Sequence, residues 1–192
     1  IDARCTTSES PLWSAREAAL YWVDIPAGVI HCWQPESGER RQWRLPAAVG
    51  SIGLRESGGL VVAMRSGFHL FDLQTEALTF LCHPEPDLPS NRLNDGKVSP
   101  EGRFWAGTMD DRPQKEPVGS LYRLDANHRC TRMAGDVKVS NGLAWSPDGR
   151  TMYWADTKAH VVHAFDFDGQ DGSLARQRDF IRFEPKTTGA DL

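Results

Sequence analysis

The amino-acid sequence predicts an all-β fold, a β-propeller of which the chain holds about four blades. Apolar residues alternate or fall in short blocks rich in β-branched and aromatic types, and they do not recur at helical spacing. A strand–turn–strand unit also repeats along the chain at offsets of about 40 to 47 residues, the length of a four-stranded blade. Together these patterns indicate one incomplete propeller domain over residues 1–192.

Short segments with the composition of strands are separated by glycine-containing turns, and no segment has a convincing helical pattern. Turn sequences at 36–38, 57–59, 100–102 and 147–149 supply the positive φ that tight hairpins need. The predicted strands are residues 19–24, 29–33, 60–64, 68–73, 104–108, 121–124, 152–156 and 161–165.

The repeat is marked by apolar anchors at Trp13, Leu54, Val98 and Trp145. Each anchor precedes a polar turn segment, and a strand of the same character follows. A two-sheet β-sandwich also contains many short strands, but the recurring unit with a bulky aromatic residue favours blades.

Two segments interrupt the repeat, residues 82–91 and residues 110–118, and both are rich in proline and polar residues. They are predicted to be loops that project from the blades. Because loops on a rigid scaffold commonly carry binding chemistry, these two are candidate parts of a site.

Composition excludes several classes of partner. The formal net charge is only −4, so nothing favours binding to nucleic acid or to an anionic membrane surface. The four cysteines form no CxxC pair and are predicted to be free thiols. Neither a signal segment nor an apolar run of membrane-spanning length is present, which predicts a cytoplasmic protein. The oligomeric state stays open.

Carboxylate and amide residues precede the first predicted strand of several units. Glu9 precedes a Ser-Pro-Leu-Trp segment, Asn94 and Asp95 lie in NRLNDGK, and Asn141 lies in SNGLAWS. Since the innermost strands of a propeller surround a channel, these side chains could converge there on calcium, magnesium or manganese. Asn-Gly and Asn-Asp-Gly are also ordinary turn sequences, so these residues could instead only satisfy backbone groups.

Four segments closely resemble the SMP-30/gluconolactonase/luciferin-regenerating family. They are ESPLW at 9–13, VDIPAG at 23–28, NRLNDGKVSPEGRFWAGTM at 91–109 and SNGLAWSPDGRTMYWADT at 140–157. The resemblance implies a six-bladed propeller that holds one divalent cation in its channel and hydrolyses lactones of sugar acids. Calcium is the expected cation, with zinc, magnesium and manganese as alternatives.

The same resemblance implies roles for individual residues. Glu9 and Asn141 match two protein ligands of the family's metal. Arg92 and Asn94 match residues that hold the hydroxyl and carbonyl groups of the substrate, and Asp111 matches an acidic residue that contacts the sugar. Specificity for a sugar lactone is therefore expected to lie in these polar segments.

Other positions match the family less directly. Asp24 and Asp156 correspond to positions where structural roles are expected. The family's third metal ligand, an aspartate that is also the expected general base, is predicted to lie beyond Leu192, and Asp191 is a weak candidate for it. The chain resembles roughly two-thirds of a family member, so a propeller that binds calcium or a partner without catalysis is the alternative function.

Overall fold

A computed structural model describes residues 3–185, which form four four-stranded antiparallel sheets. Blade 1 consists of β1 (Ser8–Ser14), β2 (Ala19–Asp24), β3 (Val29–Trp33) and β4 (Arg40–Arg44). Blade 2 consists of β5 (Val49–Leu54), β6 (Leu60–Met64), β7 (Gly67–Phe71) and β8 (Leu78–Cys82). Blade 3 consists of β9 (Asn91–Val98), β10 (Phe104–Asp110), β11 (Gly119–Leu124) and β12 (Cys130–Val137). Blade 4 consists of β13 (Ser140–Trp145), β14 (Thr151–Asp156), β15 (Val161–Asp168) and β16 (Ser173–Arg182).

Within each sheet the strands pair in chain order, as a simple meander. The first strands of the sheets lie against one another, β1 beside β5, β5 beside β9 and β9 beside β13. They are therefore the innermost strands, and the sheets extend outwards from them as propeller blades do. Four separate sheets also rule out the two-sheet sandwich for the described residues.

The predicted repeat is confirmed by the position of its anchors. Leu54, Val98 and Trp145 each end the innermost strand of their blade, and Trp13 is the penultimate residue of β1. The predicted strand segments fall on strands, except that segment 68–73 runs two residues past the end of β7. The predicted loops correspond to the connections from β8 to β9 and from β10 to β11. In residues 3–185 the only helical segment is a 3-10 turn at Thr157–Ala159.

Neither the innermost nor the outermost strands were among the predicted segments, and Glu9, Asn94, Asp95 and Asn141 lie within innermost strands and not before them. For the outermost strands, exposure is the reason. In β4 only Trp43 is buried, and all but one residue of β16 are exposed. Such strands face solvent on both sides, so they lack the alternation of apolar and polar residues that marks a half-buried strand. The pairing of β16 with β15 is visible only in three dimensions.

The hydrophobic core lies between neighbouring blades in three clusters. Blades 1 and 2 share the cluster around Ile30 and Leu60, and blades 2 and 3 share the one around Phe68 and Phe104. In the third, between blades 3 and 4, Trp105 is fully buried. Burying these aromatic faces locks each sheet against the next and keeps the innermost strands in register.

The four cysteines, all within the described residues, are free thiols, as predicted. No helix among residues 3–185 is long and apolar enough to cross a bilayer. The cytoplasmic location and the absence of nucleic-acid and membrane partners stay predictions.

Candidate functional site

The innermost strands carry β-bulges near their first residues. In β1 the register shifts between Glu9 and Leu12, and in β13 it shifts between Asn141 and Ala144. In β9 the shift falls opposite the step from Ala106 to Thr108 of β10. A bulge turns side chains out of the regular alternation and leaves backbone groups unpaired within the sheet. The candidate residues therefore lie where the chain departs from regular strand geometry.

Three of the candidate residues occupy one equivalent position in three different blades. In each of these blades the second strand ends with an aspartate, and that aspartate pairs with a residue of the innermost strand. The next residue of the innermost strand is Glu9, Arg92 or Asn141. Those pairs are Ser8 with Asp24, Asn91 with Asp110 and Ser140 with Asp156. Equivalent register places the three side chains at the same level of the propeller.

Side chains from the bulges join neighbouring innermost strands. The Ser10 hydroxyl accepts a hydrogen bond from the Ile52 backbone N–H, at 3.1 Å. Asn94 Nδ2 donates to the backbone carbonyl of Ser140, at 2.9 Å, so the amide is tied to the residue before Asn141. Asp95 Oδ2 accepts from the backbone N–H of Leu143, at 3.3 Å. These bonds satisfy polar groups that the bulges leave unpaired.

Strands β5 and β9 approach so closely that one residue must be glycine. A Cβ atom on Gly50 would lie 2.5 Å from the backbone oxygens of both Leu93 and Asn94. The absence of a side chain at this position allows the backbone bearing Asn94 to lie against blade 2.

Arg92 is the centre of a polar cluster. One terminal amino group donates to Asn94 Oδ1, at 2.7 Å, and Nε donates to Asp111 Oδ1, at 2.9 Å. The Arg92 side chain is only 12% exposed, so its orientation is set by these partners. The structure thus brings the three predicted substrate residues, Arg92, Asn94 and Asp111, into direct contact.

A fourth member of the cluster, Arg65, was missed from the sequence. Its guanidinium forms an ion pair with Oδ2 of Asp111, the oxygen that Arg92 leaves free. The repeat contains the signal that identifies it. Arg65 and Asp111 each directly follow the second strand of a blade, and their backbone N–H groups bond to Ala48 and Ser90 in the same way.

The loop before β9 is anchored by a buried carboxylate, Glu85. It accepts hydrogen bonds from Asn91 Nδ2 at 2.8 Å, from Thr108 Oγ1 at 2.9 Å and from Tyr122 Oη at 3.0 Å. Glu85 is 7% exposed, and these donors compensate its loss of water. The network holds the side chain of Asn91, the residue directly before Arg92.

Two neighbouring carboxyl groups, those of Glu9 and Asp95, have raised pKa values. Burial raises the pKa of the Glu9 carboxyl, the negative charge of Asp95 raises it further, and Arg92 opposes both. Burial also raises the pKa of Asp95, although backbone N–H groups of blade 4 counteract this. Two partly desolvated carboxylates within reach of each other repel, and a bound cation would relieve that repulsion.

The Asn141 amide is oriented by its neighbours. Its Nδ2 donates to Thr157 Oγ1 at 3.2 Å, and its Oδ1 accepts from the Gly142 N–H at 3.2 Å. The oxygen keeps a second lone pair for a ligand.

Glu9 and Asn141 offer the hard oxygen donors that a divalent cation such as calcium accepts. Residues 3–185 contain no group of three or more His, Cys, Asp or Glu side chains arranged to hold a metal. These two residues therefore fit as part of a coordination sphere, not as all of it. Asp191, the weak candidate for a third ligand, lies outside the described residues.

The structural roles expected for Asp24 and Asp156 are confirmed. The Asp24 carboxylate accepts hydrogen bonds from the backbone N–H groups of Thr6 and Thr7, at 2.9 and 3.1 Å. Asp156 accepts the equivalent pair from residues 138 and 139, and it also caps the 3-10 turn. Both carboxylates fix the chain that enters the innermost strand, and so they position Glu9 and Asn141 indirectly.

Known proteins of one family resemble this chain in sequence. Residues 7–191 match the profile of the SMP-30/Gluconolactonase/LRE-like region. The chain belongs to this family. It is 46% identical over 176 residues to a 6-deoxy-6-sulfogluconolactonase of Pseudomonas putida. The aligned region covers 91% of this chain and 60% of that relative. It is 37% identical to the regucalcin of Xenopus laevis, over 92% of this chain and 60% of the relative.

A solved structure of this SMP-30/gluconolactonase family has the same fold. The regucalcin of Agrobacterium tumefaciens, described as a calcium-binding protein, superposes with a TM-score of 0.85 at 29% identity. The match covers 92% of this chain and 59% of that one. The chain thus spans about 60% of the length of the curated relatives it matches.

Proposed function

We propose that the protein hydrolyses lactones of sugar acids in a reaction that depends on one divalent cation, preferably calcium. One observation carries the proposal. The cluster of Arg92, Asn94 and Asp111 is joined through the Ser140 carbonyl to the strand that bears Asn141. Glu9 occupies the position equivalent to Arg92 and Asn141 in blade 1, so candidate ligand and substrate residues share one level.

The family relationship supports this reaction class. The Pseudomonas putida relative is named for a lactone of a sulfonated gluconic acid, and the Agrobacterium tumefaciens relative is described as binding calcium. For the whole protein we propose the six-bladed propeller that the sequence resemblance implies, with the third metal ligand and general base outside residues 3–185.

In lactone hydrolysis a water oxygen adds to the ester carbonyl carbon, and the bond from that carbon to the ring oxygen breaks. The ring oxygen leaves as a hydroxyl after taking a proton, and the acid is released as a carboxylate and a proton. When bound to Glu9 and Asn141, a divalent cation supplies Lewis-acid stabilisation of negative charge on the carbonyl oxygen.

The chain's own residues bind and orient the substrate. Arg92 is held on two sides by Asp111 and Asn94, so its remaining N–H groups have a fixed direction. A sugar lactone offers hydroxyl groups in fixed directions and little apolar surface, which suits rigid polar donors. Orientation of the polyol is therefore the role we assign to Arg92 and Asn94.

A second candidate function is calcium binding without catalysis. The proximity of Glu9 and Asp95 favours it, because the mutual repulsion of two carboxylates attracts a cation whether or not a lactone is bound. The described residues also provide no assigned general base, which catalysis requires and binding does not.

An assay of acid release separates the two functions. Purified protein is stripped with a chelator and mixed with glucono-δ-lactone, and a pH indicator follows acid production after calcium, zinc, magnesium or manganese is added. Spontaneous hydrolysis is measured without protein, and Glu9→Ala is the matched variant. We expect cation-dependent hydrolysis above the spontaneous rate in the wild type only. Calcium binding without acceleration would favour the second function, and neither binding nor acceleration would contradict both.

A further inference from the structure

Arg65 and Arg92 share a single carboxylate. Each guanidinium bonds to a different oxygen of Asp111, and Arg65 comes from blade 2 while the other two residues come from blade 3. One carboxylate cannot neutralise two guanidinium groups, so these three side chains together carry one net positive charge, with Glu9 as a further carboxylate within the field of Arg92. Such a surplus attracts an anion.

Arg65 also has guanidinium N–H groups that no acceptor in the cluster uses. Among residues 3–185, Asp111 is the only hydrogen-bonding partner of the Arg65 guanidinium, and the side chain is 40% exposed. Arg92 is more fully used, since it also donates to Asn94 and to the Leu93 carbonyl. The unused N–H groups of Arg65 therefore face solvent, in the fork geometry that suits sulfonate, phosphate and carboxylate oxygens.

The position of Arg65 indicates which part of a ligand it would contact. Glu9 and Asn141 lie on innermost strands, whereas Arg65 follows β6, the second strand of its blade. Its backbone is held there by the hydrogen bond from its N–H to the Ala48 carbonyl, at 2.9 Å. Second strands lie farther from the axis than first strands, so Arg65 would meet a substituent displaced from the reacting carbonyl.

We infer that Arg65 is a specificity-determining residue for lactones that carry an anionic group, a sulfonate or a phosphate, on the end of the sugar remote from the lactone carbonyl. This inference rests on the proposed function for the identity of the sugar lactone. It assigns to Arg65 the recognition of the charged group, with Arg92 as the neighbouring donor, and Asp111 holds the two guanidinium groups at a fixed separation.

The test is a calorimetric titration of the protein with three acids, gluconate, 6-phosphogluconate and 6-deoxy-6-sulfogluconate. Since all three carry the same carboxylate and polyol, only the remote group differs. The wild type is expected to bind one or both of the doubly charged acids about 10- to 100-fold more tightly than gluconate, the range for a charge-assisted hydrogen bond. The tighter of the two identifies phosphate or sulfonate as the preferred group.

Arg65→Gln should abolish this preference and weaken the binding of gluconate far less, and Arg65→Lys should restore part of the preference. Arg129→Gln removes the same charge from an exposed turn and serves as the matched control.

Equal affinity of the wild type for all three acids, no binding of any of them, or an equal loss for all three in Arg65→Gln would overturn the inference. Charged-acid binding that needs Arg65, without hydrolysis of any lactone, would refute only the proposed catalysis. Hydrolysis of gluconolactone with no effect of Arg65→Gln on preference would refute only this inference.

Discussion

Asn94 Nδ2 donates a hydrogen bond to the backbone carbonyl of Ser140, 2.9 Å away, and so links the innermost strands of blades 3 and 4. Asn94 is 8% exposed, and its side-chain oxygen accepts a hydrogen bond from Arg92. One amide thus connects the proposed substrate cluster to the residue that precedes a proposed metal ligand. The two halves of the site are mechanically coupled through it.

Replacing Asn94 should therefore affect both stability and the cation. In Asn94→Ala the Ser140 carbonyl loses its partner in a buried setting, which costs about 1–3 kcal/mol of unfolding free energy. Loss of support for Asn141 should lower calcium affinity about tenfold. Urea denaturation and calorimetry measure the two effects. Asn127→Ala, in an exposed turn, is the control, and equal behaviour of the two variants would show that the bridge is unimportant.

Arg92→Ala should separate substrate binding from cation binding. Loss of its charge-assisted hydrogen bonds is expected to raise KM for aldonolactones about tenfold. Calcium affinity should stay the same or rise slightly, because the positive charge of Arg92 opposes a cation near Glu9. Steady-state kinetics and calorimetry are compared with those of Arg129→Ala. A parallel loss of substrate and cation binding would mean that Arg92 supports the metal site instead.

Much of the fold can be predicted from the sequence because each blade repeats the same strand–turn–strand unit. Leu54, Val98 and Trp145 end innermost strands and are partly buried against the clusters between blades, whereas Trp13, near the end of β1, is 50% exposed. Strands such as β16, exposed nearly throughout, carry no periodic signal and could not be predicted. Position in the sheet, not local propensity, makes them strands.

The candidate site was predictable only in part. Glu9, Asn94 and Asn141 stand beside recognisable turn and strand segments, so residue type and resemblance identified them. Arg65 stands in no such motif, and its partner Asp111 is 46 positions away in the chain. The repeat shows only that Arg65 and Asp111 occupy equivalent positions in their blades, and the contact between them depends on how one blade packs against the next.

The close contact of β5 with β9 can be tested at Gly50. In Gly50→Ala the new methyl group would collide with the carbonyls of Leu93 and Asn94, so strands must separate, at a cost of about 1–3 kcal/mol. Gly169→Ala is the matched control, since its Cβ would find only one atom, 3.9 Å away. Thermal unfolding followed by circular dichroism measures both. A Gly50→Ala protein as stable as the wild type would contradict the described contact.

The role of Asp156 in holding the chain that enters β13 can be tested by substitution. Asp156 is 3% exposed, and its carboxylate accepts hydrogen bonds from the backbone N–H of Lys138, before β13, and from that of Lys158, after β14. Asp156→Ala should destabilise the protein by about 3 kcal/mol, because several N–H groups lose a charged acceptor. Asp168→Ala, on an exposed hairpin, should cost less than about 1 kcal/mol in the same urea titration. Similar losses in the two variants would count against this role.

The central claim is that Glu9 and Asn141 bind one divalent cation together. Calorimetric titration of the chelator-stripped protein with calcium tests it most directly, with Glu9→Ala and Asn141→Ala as variants and Glu36→Ala and Asn127→Ala as exposed controls. We expect one calcium site in the wild type and in both controls, and a calcium affinity at least about tenfold lower in each site variant. Unchanged calcium affinity in both Glu9→Ala and Asn141→Ala would contradict it.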